Sequence, residues 1–336
     1  MITKSIEPAQ ATAHYTHEDE MHRAKQAASP IVMACDESYA MQVAVALRSA
    51  LDASHGADPL NVHVLCSQFS TSLRQKVIDS LPAGLADIHW IPVDLGSFKT
   101  FSTLPHISKM TFARFMIPNI FPESVRRVLY LDADILVLQD LRPLWETDLR
   151  GAVVGAVKDH ILDSQIKADA RGVERFPRVQ HYFNAGVLLI DLGQWRKHRI
   201  SEQGLEYLKA NPDSPLADQD ALNVACDGRW LDLGVTWNFY DHFKTRISKL
   251  PPSERPRIAH FVGQKPWKAS KLSVNADLYD MFRQKTCFAR RPADKLRDEI
   301  IRMCFRVRRR LGGVPLVQTL RAKYLSLYKS SSGARV

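Results

Sequence analysis

The chain has 336 residues, 45% hydrophobic and 24% charged, an ordinary globular composition with material for one large α/β domain or two smaller ones. Its formal net charge of +10 sits at one end: residues 290–336 hold 13 Lys and Arg against 3 Asp and Glu, leaving 33 of each sign in the other 289 residues. A neutral body speaks against nucleic-acid binding by the main domain, and the tail calls for an anionic partner.

Residues 1–29 contain no apolar block and read as a polar, disordered extension rather than a signal peptide. The five cysteines are widely spaced with no Cys-X-X-Cys pair, which suggests reduced thiols rather than a zinc site or disulfide framework. No apolar run reaches the ~20 residues needed to cross a bilayer, so a cytoplasmic location is expected.

Structure is predicted to begin at PIVMAC (30–35), a buried strand, followed by a helix over ESYAMQVAVALRSALDAS. NVHVLC reads as a second strand, STSLRQKVIDSLP as a helix and DIHWIPVDL as a third strand. Such alternation predicts a parallel sheet with helices on both faces, whose ligands sit beyond the carboxyl ends of the strands. RVLYLDADILVLQDL (127–141) reads as one long central strand, and AVVGAV and YFNAGVLLIDL as further strands. GQWRKHRISEQGLEYLKAN and LADQDALNVACDG follow as helices, then WLDLG and RIAHFVG as late strands, with Pro251, Pro252 and Pro256 marking a loop.

Asp132 and Asp134 interrupt that central apolar run. An unpaired buried carboxylate is costly, and residues two apart in an extended chain face the same side, so a divalent cation between them is the natural partner. Oxygen ligands suit Mn²⁺ or Mg²⁺. The alternative is one helix cap and one salt bridge. His260, at the end of a late strand, is a candidate third ligand; Gly263 allows close backbone approach there, and Lys265 supplies a positive charge for a diphosphate.

IVMACDESYA, HISKMTFARFMIP, RVLYLDADILVLQDLRPLWETDL, YFNAGVLLIDLGQWR, LADQDALN and HFVGQKPW run in order from about residue 31 to 268. In these six blocks the chain resembles glycosyltransferase family 8, the retaining family of bacterial lipopolysaccharide galactosyl- and glucosyltransferases and, more distantly, glycogenin. The resemblance implies a single Rossmann-like, GT-A-type nucleotide-diphospho-sugar transferase domain over residues 30–289. It further implies a UDP-sugar donor, a saccharide or lipid-linked saccharide acceptor, and a metal held by Asp132, Asp134 and His260. Ala34, Asp36 and Ser38 match the segment that holds the uridine, although Asp36 could equally cap the next helix. Arg114 matches a contact to the donor sugar and phosphates, and Asn184, Ala185 and Gly186 the turn beside the sugar. Asp218 and Gln219 match residues lining the transferred sugar, with a plain helix cap as the alternative for Asp218. Gly263 and Lys265 match the diphosphate grip, although HFVGQKPW is one residue shorter than the family form.

Retention by double displacement would need a nucleophile, for which Gln219 and the carboxylates of Asp159, Asp218 and Asp220 are the candidates. None has the surroundings of an activated one, which favours same-face attack by the acceptor hydroxyl. In the tail, Leu296, Ile300, Met303, Val307 and Leu311, then Val317, Leu320 and Tyr324, recur at helical spacing among basic residues, with Gly312, Gly313 and Pro315 between. Residues 290–336 are therefore expected to be a basic amphipathic tail that lies on the inner face of an anionic membrane, or else a helix packed on the domain. A non-catalytic nucleotide-sugar sensor or scaffold is the competing function, and the full set Asp132, Asp134, His260 and Lys265 argues against it.

Overall fold

The computed structural model describes residues 30–54, 59–98, 100–101, 103, 108–160, 177–214, 216–240, 245–263, 265–268, 273–294, 296–297, 299–301 and 303. Its first half alternates strand and helix as expected: β1 (Ile31–Ala34), α1 (Ala40–Ala53), β2 (Leu60–Cys66), α2 (Thr71–Ile78), β3 (Ala86–Pro92) and β4 (Arg127–Leu131). These four strands are parallel, with β1 between β2 and β4. Then come β5 (Ile135–Val137), β6 (Val154–Lys158), β7 (Phe183–Asp191), α3 (Leu192–Lys197), α4 (Ile200–Ala210), α5 (Asp218–Ala225), β8 (Trp230–Asp232), β9 (Ile258–His260) and α6 (Ala276–Arg283). The main sheet has the order β3-β2-β1-β4-β7-β6-β8, and β7 alone runs against its neighbours β4 and β6.

The central strands read as near-continuous apolar runs because both of their faces are covered. Val32 of β1 and Val128 and Tyr130 of β4 enter a core shared with Phe112, Phe115 and Leu188. Ile31, Met33, Leu129 and Leu131, at the alternate positions, enter the opposite core with Val43, Ala44 and Leu47 of α1. α1 is apolar nearly all round because it is covered on a second side as well, where Val45 packs with Leu136, Phe261 and Tyr279.

Two elements differ from the sequence expectation. The run 127–141 is two strands rather than one: β4 ends at Leu131, the chain bends at Ala133–Asp134, and β5 pairs with β9 in a separate two-stranded sheet, Ile135 opposite His260. The two aspartates thus leave the buried sheet together, and β5 is fastened instead to α1 through Val137 N, which donates to Ser49 Oγ at 2.9 Å. The single helix predicted after Gly193 is also split, because Arg199 adopts left-handed backbone (φ 52°) between α3 and α4.

The described cysteines are free thiols. Among the described residues no helix is long and apolar enough to cross a membrane. Residues 1–29 and 304–336, and with them most of the predicted tail, lie outside the described residues.

Candidate active site

A cleft of about 250 Å³ opens where β1 and β4 end side by side. This is the switch point of the sheet, since the chain runs outward from β1 to β3 and then returns to β4 on the other side. Ala34, Asp36, Arg114, Asp132, Asp134, Asp159, Asn184, Asp218, Gln219, His260, Gly263 and Lys265 all line it. Four residues singled out in the sequence do not: Asp220, which faces away from it, and Ser38, Ala185 and Gly186. Ser38 is exposed and donates its hydroxyl to Asp36 Oδ1 at 2.5 Å, Ala185 is fully buried, and Gly186 lies behind the wall.

At the centre, the bend after β4 and the end of β9 bring Asp132, Asp134 and His260 together, with one ligand atom of each within 4.8 Å of the others. His260 Nε2 is 3.2 Å from Asp134 Oδ1 and 3.7 Å from Asp132 Oδ2. The bend thus does the work assigned to strand alternation: it aims both carboxylates at the imidazole that β5 draws alongside through its pairing with β9.

Cations surround this cluster. Arg114, on a 3-10 helix over Lys109–Met116, is buried and donates through Nη2 to Asp132 at 2.6 Å and through Nη1 to Asp218. Its guanidinium also lies 4.6 Å from the centre of the Tyr130 ring, whose hydroxyl donates to Asp132 at 2.8 Å. Burial would lower the Arg114 pKa, but Asp132 and Asp218 more than offset that and hold the guanidinium firmly charged. Lys265 donates to Asp134 and, at 2.9 Å, to the carbonyl of Phe261. Burial alone would raise Asp134, yet the Lys265 ammonium and the His260 imidazole keep its carboxyl well below the usual carboxylate range. The backbone turns sharply between these groups at Gly263, whose φ of 75° a side chain would resist.

Asp36 is the N-cap of the turn Glu37–Tyr39, accepting from Ser38 N, so the capping alternative holds; its other oxygen accepts from Ser108 Oγ at 2.7 Å and still borders the cleft. Asp218 is not a cap. Ala217 precedes α5 in left-handed backbone (φ 48°, ψ −109°) without a side-chain cap bond, a strained arrangement costing about 1–3 kcal/mol. That turn sends Asp218 inward to Arg114 and to Thr111 Oγ1, which donates at 2.6 Å, and burial pushes its pKa up to about 6. Gln219 is held by its own amide: Oε1 accepts from Ala185 N at 3.0 Å and Nε2 donates to Tyr182 Oη at 3.3 Å. Asp220 faces away from the cleft, fully buried, and accepts from Tyr182 (2.5 Å), Ser214 (2.6 Å) and Leu216 N (3.0 Å). Asp159 stays on the cleft wall, where Tyr240 donates to it at 3.1 Å.

The sequence profile of glycosyl transferase family 8 matches residues 30–271, a span that takes in every described strand and every residue of the cleft. The chain belongs to glycosyltransferase family 8. This family 8 chain is 27% identical over 265 residues to General stress protein A of Bacillus subtilis (strain 168), covering 74% of the chain and 91% of that protein. It is 28% identical over 260 residues to Glycosyltransferase GlyF of Streptococcus pneumoniae serotype 4, covering 75% of the chain and 61% of GlyF. Among solved structures it superimposes on galactosyltransferase LgtC, in complex with donor and acceptor sugar analogs, with a TM-score of 0.65 and 30% identity over 80% of this chain and 99% of LgtC. The bifunctional glycosyltransferase WbbM shares the fold, with a TM-score of 0.64 and 21% identity over 82% of this chain and 52% of WbbM. The family 8 assignment makes the protein a glycosyltransferase, and its parallel-rich sheet is that of the GT-A nucleotide-sugar transferases.

Tyr39, Thr111, Tyr130, Tyr182 and Asn238 join the site without any signal in the family 8 blocks that marks them out from structural residues. The first three border the cleft, Tyr182 buttresses Gln219 and Asp220, and Asn238 touches His260. A buried polar residue between Trp237 and Phe239 was the signal available for Asn238.

Proposed function

We propose that this glycosyltransferase moves a hexose, glucose or galactose, from a UDP-sugar to a saccharide acceptor with retention of configuration, and that it depends on a divalent metal. The observation that carries the reading is the convergence of Asp132, Asp134 and His260 within 4.8 Å at the sheet's switch point, with Arg114 and Lys265 beside them. The donor set fits: two carboxylates and an imidazole suit Mn²⁺ better than Mg²⁺, which prefers oxygen alone. Asp132, Asp134 and His260 would hold the ion, which when bound acts as a Lewis acid toward the diphosphate leaving group.

The remaining roles belong to the chain itself. Arg114 and Lys265 are fixed cations for the negative charge that grows on the departing diphosphate. The cleft wall from Ala34 to Asp36 and Tyr39 receives the nucleoside, and Asp218 and Asn184 offer polar atoms to the sugar hydroxyls. Same-face attack is favoured by the state of the candidate nucleophiles. The Gln219 carbonyl is committed to the Ala185 amide, Asp218 is ion-paired to Arg114, Asp159 accepts from the Tyr240 hydroxyl at the cleft wall, and Asp220 does not reach the cleft. The likeness to LgtC, a galactosyltransferase solved with donor and acceptor sugar analogs, supports a galactosyl donor and a saccharide acceptor; a glucosyl donor and a surface glycan such as lipopolysaccharide as acceptor rest on the family resemblance alone.

Calorimetry checks the diphosphate grip. UDP should bind much more tightly with Mn²⁺ than without, and Lys265→Ala should weaken the Mn²⁺-dependent binding about tenfold or more, as expected for losing a charged hydrogen bond of about 1.5–3 kcal/mol. Equal UDP affinity with and without metal would remove the clamp.

The tail is read as a membrane anchor on the cytoplasmic face. In its described part, Leu296, Ile300 and Met303 are exposed at positions i, i+4 and i+7 of a helix, an apolar stripe open to solvent. Arg290 is buried, pairs with Asp280 at 3.1 Å and donates to the Trp267 carbonyl at 3.4 Å, which supports keeping it with the body when the tail is removed. A chain ending at Asp294 should therefore fold and hydrolyse UDP-sugar, yet lose salt-sensitive binding to anionic vesicles, since screening acts over about 8 Å at physiological ionic strength. Undiminished vesicle binding by the shortened chain would refute the anchor, and its failure to fold would mean that the tail packs on the domain.

A further inference from the structure

Behind the metal cluster lies a buried line of amides whose hydrogen bonds can be followed from a group of fixed polarity. The Gly186 backbone N–H, a donor that cannot change role, points at the side chain of Asn184 at 3.0 Å, so the Asn184 atom facing it is the carbonyl oxygen. That same oxygen lies 2.8 Å from the side chain of Asn238, which must therefore present its NH₂. The Asn238 carbonyl is then the atom facing His260 Nδ1, at 2.9 Å. A carbonyl only accepts, so Nδ1 must carry a proton.

Turning any amide over breaks this line. Reversing Asn238 alone sets two carbonyls against each other, and reversing Asn184 as well sets an NH₂ against the Gly186 N–H. Solvent cannot compensate, since Asn238 is 0% exposed and His260 3%. The backbone fixes the amides in turn: Phe239 N donates to the Ile258 carbonyl and His260 N to the Phe239 carbonyl, both at 2.9 Å, locking the segment of Asn238 against β9.

We propose that Asn238, itself oriented by Asn184 and the Gly186 amide, is a positioning residue that keeps the proton of His260 on Nδ1 and leaves Nε2 free to face Asp132 and Asp134. The inference rests on the metal reading above in one respect only, that Nε2 is the ligand atom. Asn184 consequently has a structural task in addition to any contact with the donor.

The test is a proton–nitrogen correlation spectrum of the full-length protein in mildly alkaline buffer with excess Mg²⁺, together with Mn²⁺ affinity measured by electron paramagnetic resonance without nucleotide. The wild type should show the His260 ring proton on Nδ1. Asn238→Leu, which removes the acceptor at similar volume, should lose that signal and bind Mn²⁺ about 10–100-fold more weakly. Asn238→Asp keeps an acceptor toward Nδ1 and should retain the Nδ1 proton, although it gives up the donor to Asn184 Oδ1 and should be less stable. A wild-type ring protonated on Nε2 alone overturns the proposal, even if Asn238→Leu does not fold. So does an Asn238→Leu protein with an unchanged spectrum and affinity. If neither ion binds while Nδ1 holds its proton in the wild type and loses it in Asn238→Leu, the orientation stands and the metal assignment is what fails.

Discussion

Asp132→Ala and Asp134→Ala should each lower kcat by roughly a thousandfold or more, about 4 kcal/mol at 1.36 kcal/mol per decade, with excess chelator silencing the wild type and Mn²⁺ restoring it. The two substitutions should differ in their effect on the fold. Asp132 accepts from Arg114 Nη2 and Tyr130 Oη, so removing it leaves a buried N–H and a buried hydroxyl without their shared acceptor, while Arg114 keeps Asp218 on Nη1. Asp134 holds the Lys265 ammonium, which stands closer to solvent and has the Phe261 carbonyl as a second acceptor. Asp132→Ala should accordingly show the larger fall in Tm, and Asp134→Ala is the cleaner probe of catalysis. A steady-state rate within tenfold of wild type for folded Asp134→Ala would contradict the assignment of that carboxylate.

Gly186→Ala should be nearly as damaging, although the residue never reaches the cleft. A Cβ at this position would collide with His260 Cε1 and lie 2.7 Å from Nδ1 of that ring and 2.9 Å from Asp132 Oδ2. Real Cβ contacts are not found at such distances, so the imidazole or the β4–β7 pairing must move. The pairing is the stiffer of the two, since Gly186 lies within the long strand β7, held between β4 and β6, and its carbonyl accepts from the Asp132 amide at 2.8 Å where β4 ends. The ring therefore shifts off the carboxylates. The expected result is a loss of Mn²⁺ affinity of about 100-fold or more with a modest change in Tm, measured by metal titration and thermal melting. Wild-type Mn²⁺ affinity in Gly186→Ala would show that the ring tolerates displacement and that the packing at Gly186 does not set the site.

Much of the sheet was legible because its strands are buried on both faces and separated by turn residues: PIVMAC, NVHVLC and DIHWIPVDL each became a strand within a few residues. The same uniform hydrophobicity hid the break at Asp132–Asp134. A continuous apolar run does not say that its second half has joined another sheet, and only the pairing of Ile135 with His260 reveals it. The chemistry at the ends of β1, β4 and β9 was legible from side-chain type and family blocks. What could not be read were relations between distant residues. Thr111 and Asp218 are 107 positions apart, and Asn184 and Asn238 are 54 apart. Local spacing says nothing of such pairs. Gly186 shows the same limit from the other side, since the space that its missing Cβ leaves is filled by His260 and Asp132, residues far from it in sequence.

Which nucleotide is released, and whether its release needs metal, tests the proposed activity most directly. Purified full-length protein incubated with UDP-glucose, UDP-galactose, ADP-glucose and GDP-mannose should slowly free UDP, and little ADP or GDP, in Mn²⁺. Chelator should bring that release to background. Release that continues undiminished in chelator, or that favours the purine nucleotides, would contradict a metal-dependent UDP-sugar transferase built on Asp132, Asp134 and His260.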